Sequence, residues 1–325
     1  MKKIVLCAAV TAICAVPMVA SAGADVYGQL RYSVNSVDAD DSAAANDGLM
    51  GLDNVSLFGL KATSEGDGVK AFLHLQTGAK ADGGVGNAFD QRFFFGGLSG
   101  DFGQVVYGRM TNAYKFAGFA MDPFYNHSHI GVDGTFQAGL GTYGLSPLTN
   151  GFTDNALQYT SSDFGGVKVN LGVYIDDSAA DEHGTNIGAE YNKGGIKAGI
   201  QVASNGAVAT VPNLVADGDA MRIYGGYSAG NMSVSASFEN VDTGATTDVD
   251  YMFLVGKYKM SDKTRVAVTL GTVGDGAAEG SGVTAGVFQT VAPKTEVFVS
   301  TSMVSLEDPT AAEPSVISVG AIHKF

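Results

Sequence analysis

The chain has 325 residues, of which 45% are hydrophobic and only 16% charged, with a formal net charge of −14, 45 glycines and no tryptophan. This composition is too apolar for an intrinsically disordered protein and too acidic for a protein that wraps nucleic acid. We therefore expect a folded domain that does not bind nucleic acid.

The first 22 residues have the pattern of a secretory signal peptide. Two lysines precede an apolar run over 4–20, and Ala-Ser-Ala at 20–22 forms a small-x-small cleavage motif. Cleavage after Ala24 is an alternative. Both cysteines fall in this segment, so the mature domain over 23–325 offers neither a disulfide nor a thiolate ligand.

Period-2 alternation of apolar and polar residues recurs along the mature chain, whereas helical periodicity is nearly absent. The clearest alternating stretches lie at 26–35, 69–76, 167–175, 196–202, 232–239 and 265–270. No mature stretch has 18 consecutive apolar residues, so a helical membrane span is excluded. A soluble β-sandwich and a membrane β-barrel both show this alternation, so the connections must decide between them.

Short and long connections alternate strictly along the chain. Tight turns are predicted at 64–68, 99–103, 161–166, 192–195, 229–231, 260–263 and 292–294. Longer loops are predicted near 37–48, 79–90, 112–154, 176–183, 204–219, 240–250, 273–281 and 305–314. Seven turns and eight loops join 16 strands, an even number typical of bacterial outer-membrane barrels.

Charged and aromatic residues are sorted in the same way. The seven long loops other than 112–154 carry 20 acids against one base, Lys80. Aromatic residues fall near the tight-turn ends of strands, as a girdle at a membrane interface would. They are Tyr159, Tyr191, Tyr227, Tyr258 and Phe325.

Several segments resemble the general Gram-negative porin family across the mature chain. They are 26–30 (Val-Tyr-Gly-Gln-Leu), 56–61, 97–103 with 107–109 (Tyr-Gly-Arg), 154–166, 256–264 and 319–325. The resemblance implies an all-β fold, a 16-stranded antiparallel transmembrane β-barrel whose long third loop, 112–154, folds into the lumen as a constriction. It also implies a homotrimer among lipopolysaccharide and outer-membrane lipid, with Phe325 read by the outer-membrane assembly machinery.

Bases on the polar face of the strands are candidates for the wall of such a constriction, where charged rings select solutes. We single out Arg31, Lys61 and Arg92, and the resemblance adds Arg109. Strict alternation places Arg109 on the face of Val105 and Tyr107. A break in the strand near Gly108 is therefore required.

Within 112–154, Asp122 and Asp133 are candidate acids opposite this wall, and Tyr125 is a candidate to narrow the passage. Both acids have an equally good alternative role as caps of turns beside Pro123 and Gly134. His127 and His129 lack a third ligand at a defining spacing, so no metal site is predicted. The other loop acids are solvated, with loose Ca²⁺ or Mg²⁺ binding as an alternative.

The expected function is passive diffusion of small hydrophilic solutes and ions through a water-filled outer-membrane channel. Phe152, Gln158 and Leu57 stand where many relatives carry arginine, so with the acidic loops a weak preference for cations is expected. No catalytic motif is present, and no enzymatic activity is expected. Two alternatives stay open, a barrel hydrolase with its site near the rim and a closed adhesin or receptor barrel.

Overall fold

The computed structural model describes residues 21–39, 47–80, 89–138, 140–178, 181–244, 247–308 and 310–325. The predicted signal peptide lies almost wholly outside these residues and stays a prediction. Most of the described chain is β-strand, in agreement with the alternation in the sequence.

One antiparallel sheet contains all but two of the described strands. These strands are β1 Ser21–Asp38, β2 Gly48–Asp53, β3 Leu57–Gly66, β4 Val69–Gly78, β5 Gln91–Gly100, β6 Gly103–Met110, β9 Thr153–Thr160, β10 Val167–Tyr174, β11 Gly184–Lys193, β12 Ile196–Ser204, β13 Asp219–Ala229, β14 Met232–Val241, β15 Val249–Lys259, β16 Thr264–Gly274, β17 Gly280–Ala292, β18 Thr295–Leu306 and β19 Ser315–Lys324. The remaining two, β7 Ser128–Ile130 and β8 Phe136–Ala138, form a separate small hairpin.

The sheet closes on itself into a barrel, because β1 pairs with both β3 and the last strand, β19. Phe325 extends this closure, since its backbone N–H donates to the Gly28 carbonyl oxygen at 3.0 Å. A side chain at Gly28 would collide with the Phe325 ring, so the glycine is required by close packing at the seam.

The second strand of the barrel is split. β2 and β3 both pair with β1, in successive registers, and residues 54–56 interrupt them. Val55 there has a φ of 70°, a conformation that a β-branched residue rarely adopts. Counting β2 and β3 as one strand, the described residues form a 16-stranded barrel, which confirms the prediction.

The connections fall where the sequence predicted them. The turn between β13 and β14 consists of residues 230–231, and the loop between β4 and β5 spans 79–90. The tightest turns depend on glycine. Gly194 and Gly195 both have positive φ, a conformation that glycine adopts with little strain because it has no Cβ. The sorting of short turns and long loops to opposite ends is therefore confirmed.

The alternating aliphatic residues are on the outside of the barrel. Val26 is 70% exposed and Val34 47%, and the same face remains exposed at Leu171, Ile200 and Leu270. We call this the apolar face, and the face with the alternate residues the polar face. A soluble sandwich would bury the aliphatic residues, so the structure excludes that alternative.

The connection between β6 and β9, residues 111–152, is the longest in the fold, and we call it the third-loop segment. It contains helix α1 (Ala113–Phe119), the β7–β8 hairpin and a 3₁₀ turn (Pro147–Thr149). Asn112 caps α1 by accepting from the backbone N–H of Lys115 at 2.7 Å. A seven-residue helix leaves too short a periodic signal to be recognised in the sequence. No helix in the described part of the chain is long and apolar enough to cross a membrane.

Candidate functional site

The third-loop segment packs against the polar face of strands from several parts of the barrel. Ser128 lies 2.7 Å from Ser33 of β1 and donates to Asn54, while the backbone N–H of Ile130 donates to Ser302 of β18. Tyr143 donates its hydroxyl to the carbonyl oxygen of Ala278, beyond the end of β16. The segment is thus held at points that are far apart in sequence.

Two glycines allow this close packing. A Cβ at Gly271 of β16 would lie 1.9 Å from the carbonyl oxygen of Tyr143, so the backbones meet directly there. A Cβ at Gly286 of β17 would lie 2.7 Å from the ring of Phe124. Buried aromatic residues fill the space beside them, with Phe124, Phe288 and Phe298 in one cluster.

A buried ion pair holds the segment to β13 and β14. Arg222 and Glu239 are directly opposite in the strand register, their side chains are 0% and 2% exposed, and nitrogen and oxygen are 2.7 Å apart. Arg222 also donates to the Tyr114 carbonyl oxygen and to Thr149. Glu239 accepts from the Tyr114 hydroxyl and from Ser146. We call these two residues and their partners the Arg222–Glu239 anchor.

Three basic side chains surround the ring of Phe152, at the end of the third-loop segment. The guanidiniums of Arg92 and Arg109 lie 4.9 and 5.3 Å from the ring centroid, and the Lys115 ammonium lies 4.4 Å from it. These distances are within the range of favourable cation–π contact. We call Phe152 and these three bases the Phe152 cluster.

The charges of this cluster are only partly neutralised by neighbouring groups. Arg109 pairs with the exposed Asp154 at 2.6 Å, Arg92 donates to the amide of Gln76, and Lys115 donates to the Gly151 carbonyl oxygen. Burial, followed by repulsion from Arg92 and Arg109, lowers the pKa of Lys115 to about 7. The cluster therefore has a net positive charge that depends on pH.

The break required at Gly108 is present in the structure. Gly108 has a φ of 134°, and the pairing of β6 with β9 shifts register between Gly108 and Met110. A β-bulge of this kind re-aims the following side chain. It places Arg109 beside Arg92 and Lys115. A second register shift between Gln76 and Thr77 accompanies the placement of Arg92.

The other two predicted bases lie on neighbouring strands. The Lys61 ammonium is 5.1 Å from the Tyr27 ring, and Arg31 donates to the Gln29 side chain at 3.0 Å. Arg31 lies close enough to Arg92 for mutual repulsion. The structure therefore brings four predicted bases to one side of the barrel.

The predicted acids are used differently. Asp122 is buried and accepts from the backbone N–H groups of Phe124 and Thr142 and from the Thr142 hydroxyl. Asp133 is exposed and accepts from Thr135 and Gln137. Both therefore cap turns, which agrees with the alternative role given to them. Asp133 lies apart from the bases, beside the loop over 275–279.

Tyr125 and the two histidines are packed within the third-loop segment. Tyr125 donates its hydroxyl to the Thr149 carbonyl oxygen, and its ring lies 4.6 Å from that of Phe119. The His127 ring packs edge-to-face on Phe288 and Phe298. Burial lowers the pKa of both His127 and His129, which favours the neutral rings. Among the described residues, no group of three or more potential ligands could hold a metal ion.

The family profile of the Gram-negative porins matches residues 9–309. This chain belongs to the Gram-negative porin family. It is an outer-membrane protein, and its apolar face is the transmembrane surface of the β-barrel.

Sequence relatives and solved structures agree with this assignment. The porin is 27% identical over 139 residues to the major outer membrane protein P.IA of Neisseria meningitidis serogroup B, and the match covers 36% of each chain. The chain thus spans about a third of the length of the curated relatives it matches.

Solved structures are similar over the whole barrel. An anion-selective porin from Comamonas acidovorans superposes with a TM-score of 0.75 at 18% identity, covering 94% of this chain and 100% of that one. Salmonella typhi OmpF, in a complex with daunomycin, gives a TM-score of 0.70 at 15% identity, with 93% and 97% covered. The trimer form of OmpT from Vibrio cholerae gives 0.66 at 15%, with 94% and 99% covered. At these identities the likeness concerns the fold.

Sequence reasoning missed three participants in the site of this porin. Lys115 is the only Lys or Arg within 112–154. A single base in the longest predicted loop could have indicated that Lys115 belongs to the site. Phe152 was considered in the sequence only as a position where many relatives carry arginine. In the structure its ring contacts three cations. Arg222 was not singled out in the sequence, although the third-loop segment and Glu239 bury it completely.

Proposed function

We propose that this porin is a passive, water-filled channel through which small hydrophilic solutes and ions diffuse down their own gradients. The closed 16-stranded barrel with an exposed apolar face and a polar face carries the proposal. A barrel of 16 strands is wide enough to leave an aqueous channel between its walls. The apolar face is stable only when lipid replaces water against it, because each exposed aliphatic side chain costs about 1.5–3 kcal/mol in water.

The third-loop segment lies inside this barrel and narrows it, in our proposal. Its contacts with the polar face of β1, β13, β14, β16 and β18 support this placement, since those strands lie around the barrel circumference. A segment fixed at so many points forms a stable constriction. Arg31, Lys61, Arg92 and Arg109 are the wall residues of this narrow zone, while Asp122 and Tyr125 hold the shape of the segment.

The narrow zone prefers anions in this proposal. A weak cation preference was expected from the acidic loops and the missing arginines, and the geometry lends it no support. Asp122 is occupied by turn hydrogen bonds, and the Phe152 cluster sets three bases against the carboxylate of Asp154. Charges at the narrowest point act on every ion that passes, whereas charges of the wide mouth are screened within about 8–10 Å.

A homotrimer is part of the proposal. The trimer form of the Vibrio cholerae structure supports it, as does the broad apolar face, of which neighbouring copies would cover a part. Contact with lipopolysaccharide and recognition of Phe325 by the assembly machinery stay predictions from the sequence.

Planar bilayer recordings of the purified protein test the function. We expect conductance in steps of three, and reversal potentials in a KCl gradient that indicate preference for chloride. Cation preference would overturn the proposed selectivity. Absence of conductance would overturn the channel function in favour of a closed receptor barrel, and hydrolysis of lipid or peptide lost on replacement of a single Ser or His would favour a rim enzyme.

A further inference from the structure

A chamber of about 480 Å³ lies beside α1, between this helix and the polar face of strands β5, β6 and β9 to β13. Ala113, Phe116 and Ala117 form the helix side of the chamber. Its volume falls within the range of about 300–1,000 Å³ that is typical of small-molecule sites. Since it opens on the polar face, a solute that has entered the barrel can reach it.

On β5 the wall of the chamber is aromatic, which is unusual for a polar face, and a further ring comes from α1. Phe93 and Phe95 have ring centroids 5.7 Å apart, and both rings lie near that of His74, at 5.1 and 5.0 Å. Phe116 projects from α1 and is 53% exposed, although Lys115 and Ala117 beside it are buried. Covering a water-exposed phenyl ring with an apolar group is favourable, because it removes apolar surface from water.

The remaining strands give the chamber a mostly polar lining. They carry the carboxamides of Gln104, Asn170 and Gln201, the side chain of Lys168 and the carboxylate of Glu190. Glu190 faces Lys168 in the strand register, but its charge is already paired with the Lys197 ammonium at 3.0 Å, and it accepts from the Tyr224 hydroxyl. Carboxamides offer both donors and acceptors, and Lys168 adds a positive charge. A solute that fits the chamber therefore has an apolar side and a polar or anionic side.

The Phe152 cluster adjoins the aromatic wall. The rings of Phe93 and Phe152 meet edge-to-face with centroids 5.4 Å apart, so the cations around Phe152 are one ring away from the chamber. A group of positive charges at a confined point concentrates anions nearby. Solutes that carry a negative charge are thus enriched where the aromatic wall begins.

We propose that this chamber binds monocyclic aromatic carboxylates, with the ring against Phe93, Phe95 and Phe116 and the carboxylate toward Lys168 and the Phe152 cluster. The proposal rests on the proposed function, because solutes reach the chamber through the lumen. An inorganic anion would make no use of the aromatic wall. An uncharged sugar would make no use of the cations.

Benzoate is the probe, acetate is the matched anion without a ring, and benzyl alcohol is the matched ring without a charge. Each is titrated into a bilayer that holds the porin in KCl, and the decrease in current gives an apparent affinity. We expect benzoate to bind at least about tenfold more tightly than either control. Equal affinity for benzoate and acetate would overturn the proposal.

Substitution of one ring separates the chamber from the rest of the barrel. Phe116→Ala is expected to weaken benzoate binding about fivefold, in line with the loss of one aromatic contact of about 1 kcal/mol. The matched control is Phe94→Ala, since Phe94 lies between Phe93 and Phe95 on β5 but is 56% exposed on the apolar face. Equal weakening in both variants, or none in Phe116→Ala, would contradict the proposal.

A second measurement distinguishes failure of the chamber from failure of the channel. Calorimetric titration of benzoate into the detergent-solubilised protein requires no conductance. Binding that Phe116→Ala weakens would support the chamber even if KCl alone gave no current. Normal KCl conductance without calorimetric binding of benzoate would overturn the chamber and leave the channel function intact.

Discussion

Two groups of cations contact the third-loop segment, and they differ in how their charge is balanced. In the Arg222–Glu239 anchor a fully buried guanidinium has a carboxylate 2.7 Å away and further acceptors on Tyr114 and Thr149. In the Phe152 cluster three cations share one ring and one exposed carboxylate, that of Asp154. Balanced charges hold the segment in place, and unbalanced charges remain open to water and, in the proposed channel, to solutes.

Burial explains the difference. An ion taken out of water must recover its hydration energy from partners of fixed geometry. Arg222 and Glu239 achieve this because they face each other across β13 and β14, where the third-loop segment covers both. Arg109 is still 24% exposed and Asp154 66%, so water supplies what the protein does not. Solutes can replace that water.

The largest expected effect comes from breaking the anchor. Arg222→Met leaves the Glu239 carboxylate buried without its cation, which costs about 3–5 kcal/mol. We expect a reduced free energy of unfolding in vesicles and faster proteolysis within 111–152. The control is Arg265→Met. The Arg265 and Glu296 side chains are 38% and 25% exposed, so the ion pair that this change removes is worth about 1 kcal/mol or less. Equal losses would show that burial of the pair is unimportant.

The two acids of the third-loop segment give the next largest effect. Asp122→Asn keeps one acceptor oxygen and replaces the other with an NH₂ group, so either the Phe124 N–H or the two Thr142 donors lose their acceptor. We expect a loss of about 1–3 kcal/mol in the free energy of unfolding. Asp133→Asn, at an exposed turn, is expected to stay within about 0.5 kcal/mol of the wild type. A shift in ion selectivity in Asp133→Asn but not in Asp122→Asn would support the original prediction that Asp133 lies at the constriction.

Neutralising one cation of the Phe152 cluster should change ion selectivity more than stability. Arg109→Gln is expected to lower the ratio of chloride to potassium permeability about fivefold. Two unit charges about 4 Å apart interact with about 1 kcal/mol in water. Since 1.4 kcal/mol corresponds to a factor of ten, about 1 kcal/mol corresponds to about fivefold. Lys294→Gln, in the turn between β17 and β18, is the control with equal loss of charge. An unchanged permeability ratio in Arg109→Gln would remove Arg109 from the narrow zone.

The smallest effect is a dependence of selectivity on pH. Since the pKa of Lys115 is lowered to about 7, its ammonium loses its proton as the pH rises through that value, and the cluster loses one positive charge. Chloride preference should therefore decrease between about pH 6 and pH 8. Lys115→Arg is expected to keep the low-pH preference throughout, because arginine stays charged. A pH dependence that persists in Lys115→Arg must arise elsewhere.

Much of the barrel followed from local patterns in the sequence. Alternation at Val26 to Val34 reports which residues share a face, and the glycines at 194–195 report a tight turn. The helix α1 and the split of the second strand at Val55 were not predicted. Seven residues carry little periodicity, and a positive φ at valine is set by tertiary packing against the usual preference of the residue.

The candidate site could be predicted only in part. The bases on the polar face were found by alternation, and a break near Gly108 was found because Arg109 needed one. The burial of Arg222 was not foreseen, because its contacts join residues up to 108 positions apart. Asp122 showed the same difficulty, since an acid before proline is equally suited to a pore wall and to a turn.

The sequence by itself determined that this chain is a closed barrel with a lipid-facing surface, a polar interior and one exceptional loop. Alternation, turn chemistry and loop length act over a few residues, so they can be read in order along the chain. The tertiary structure alone decided which charges are neutralised. Coulombic attraction and desolvation depend on distances across the barrel, and strand register and the path of residues 111–152 set those distances.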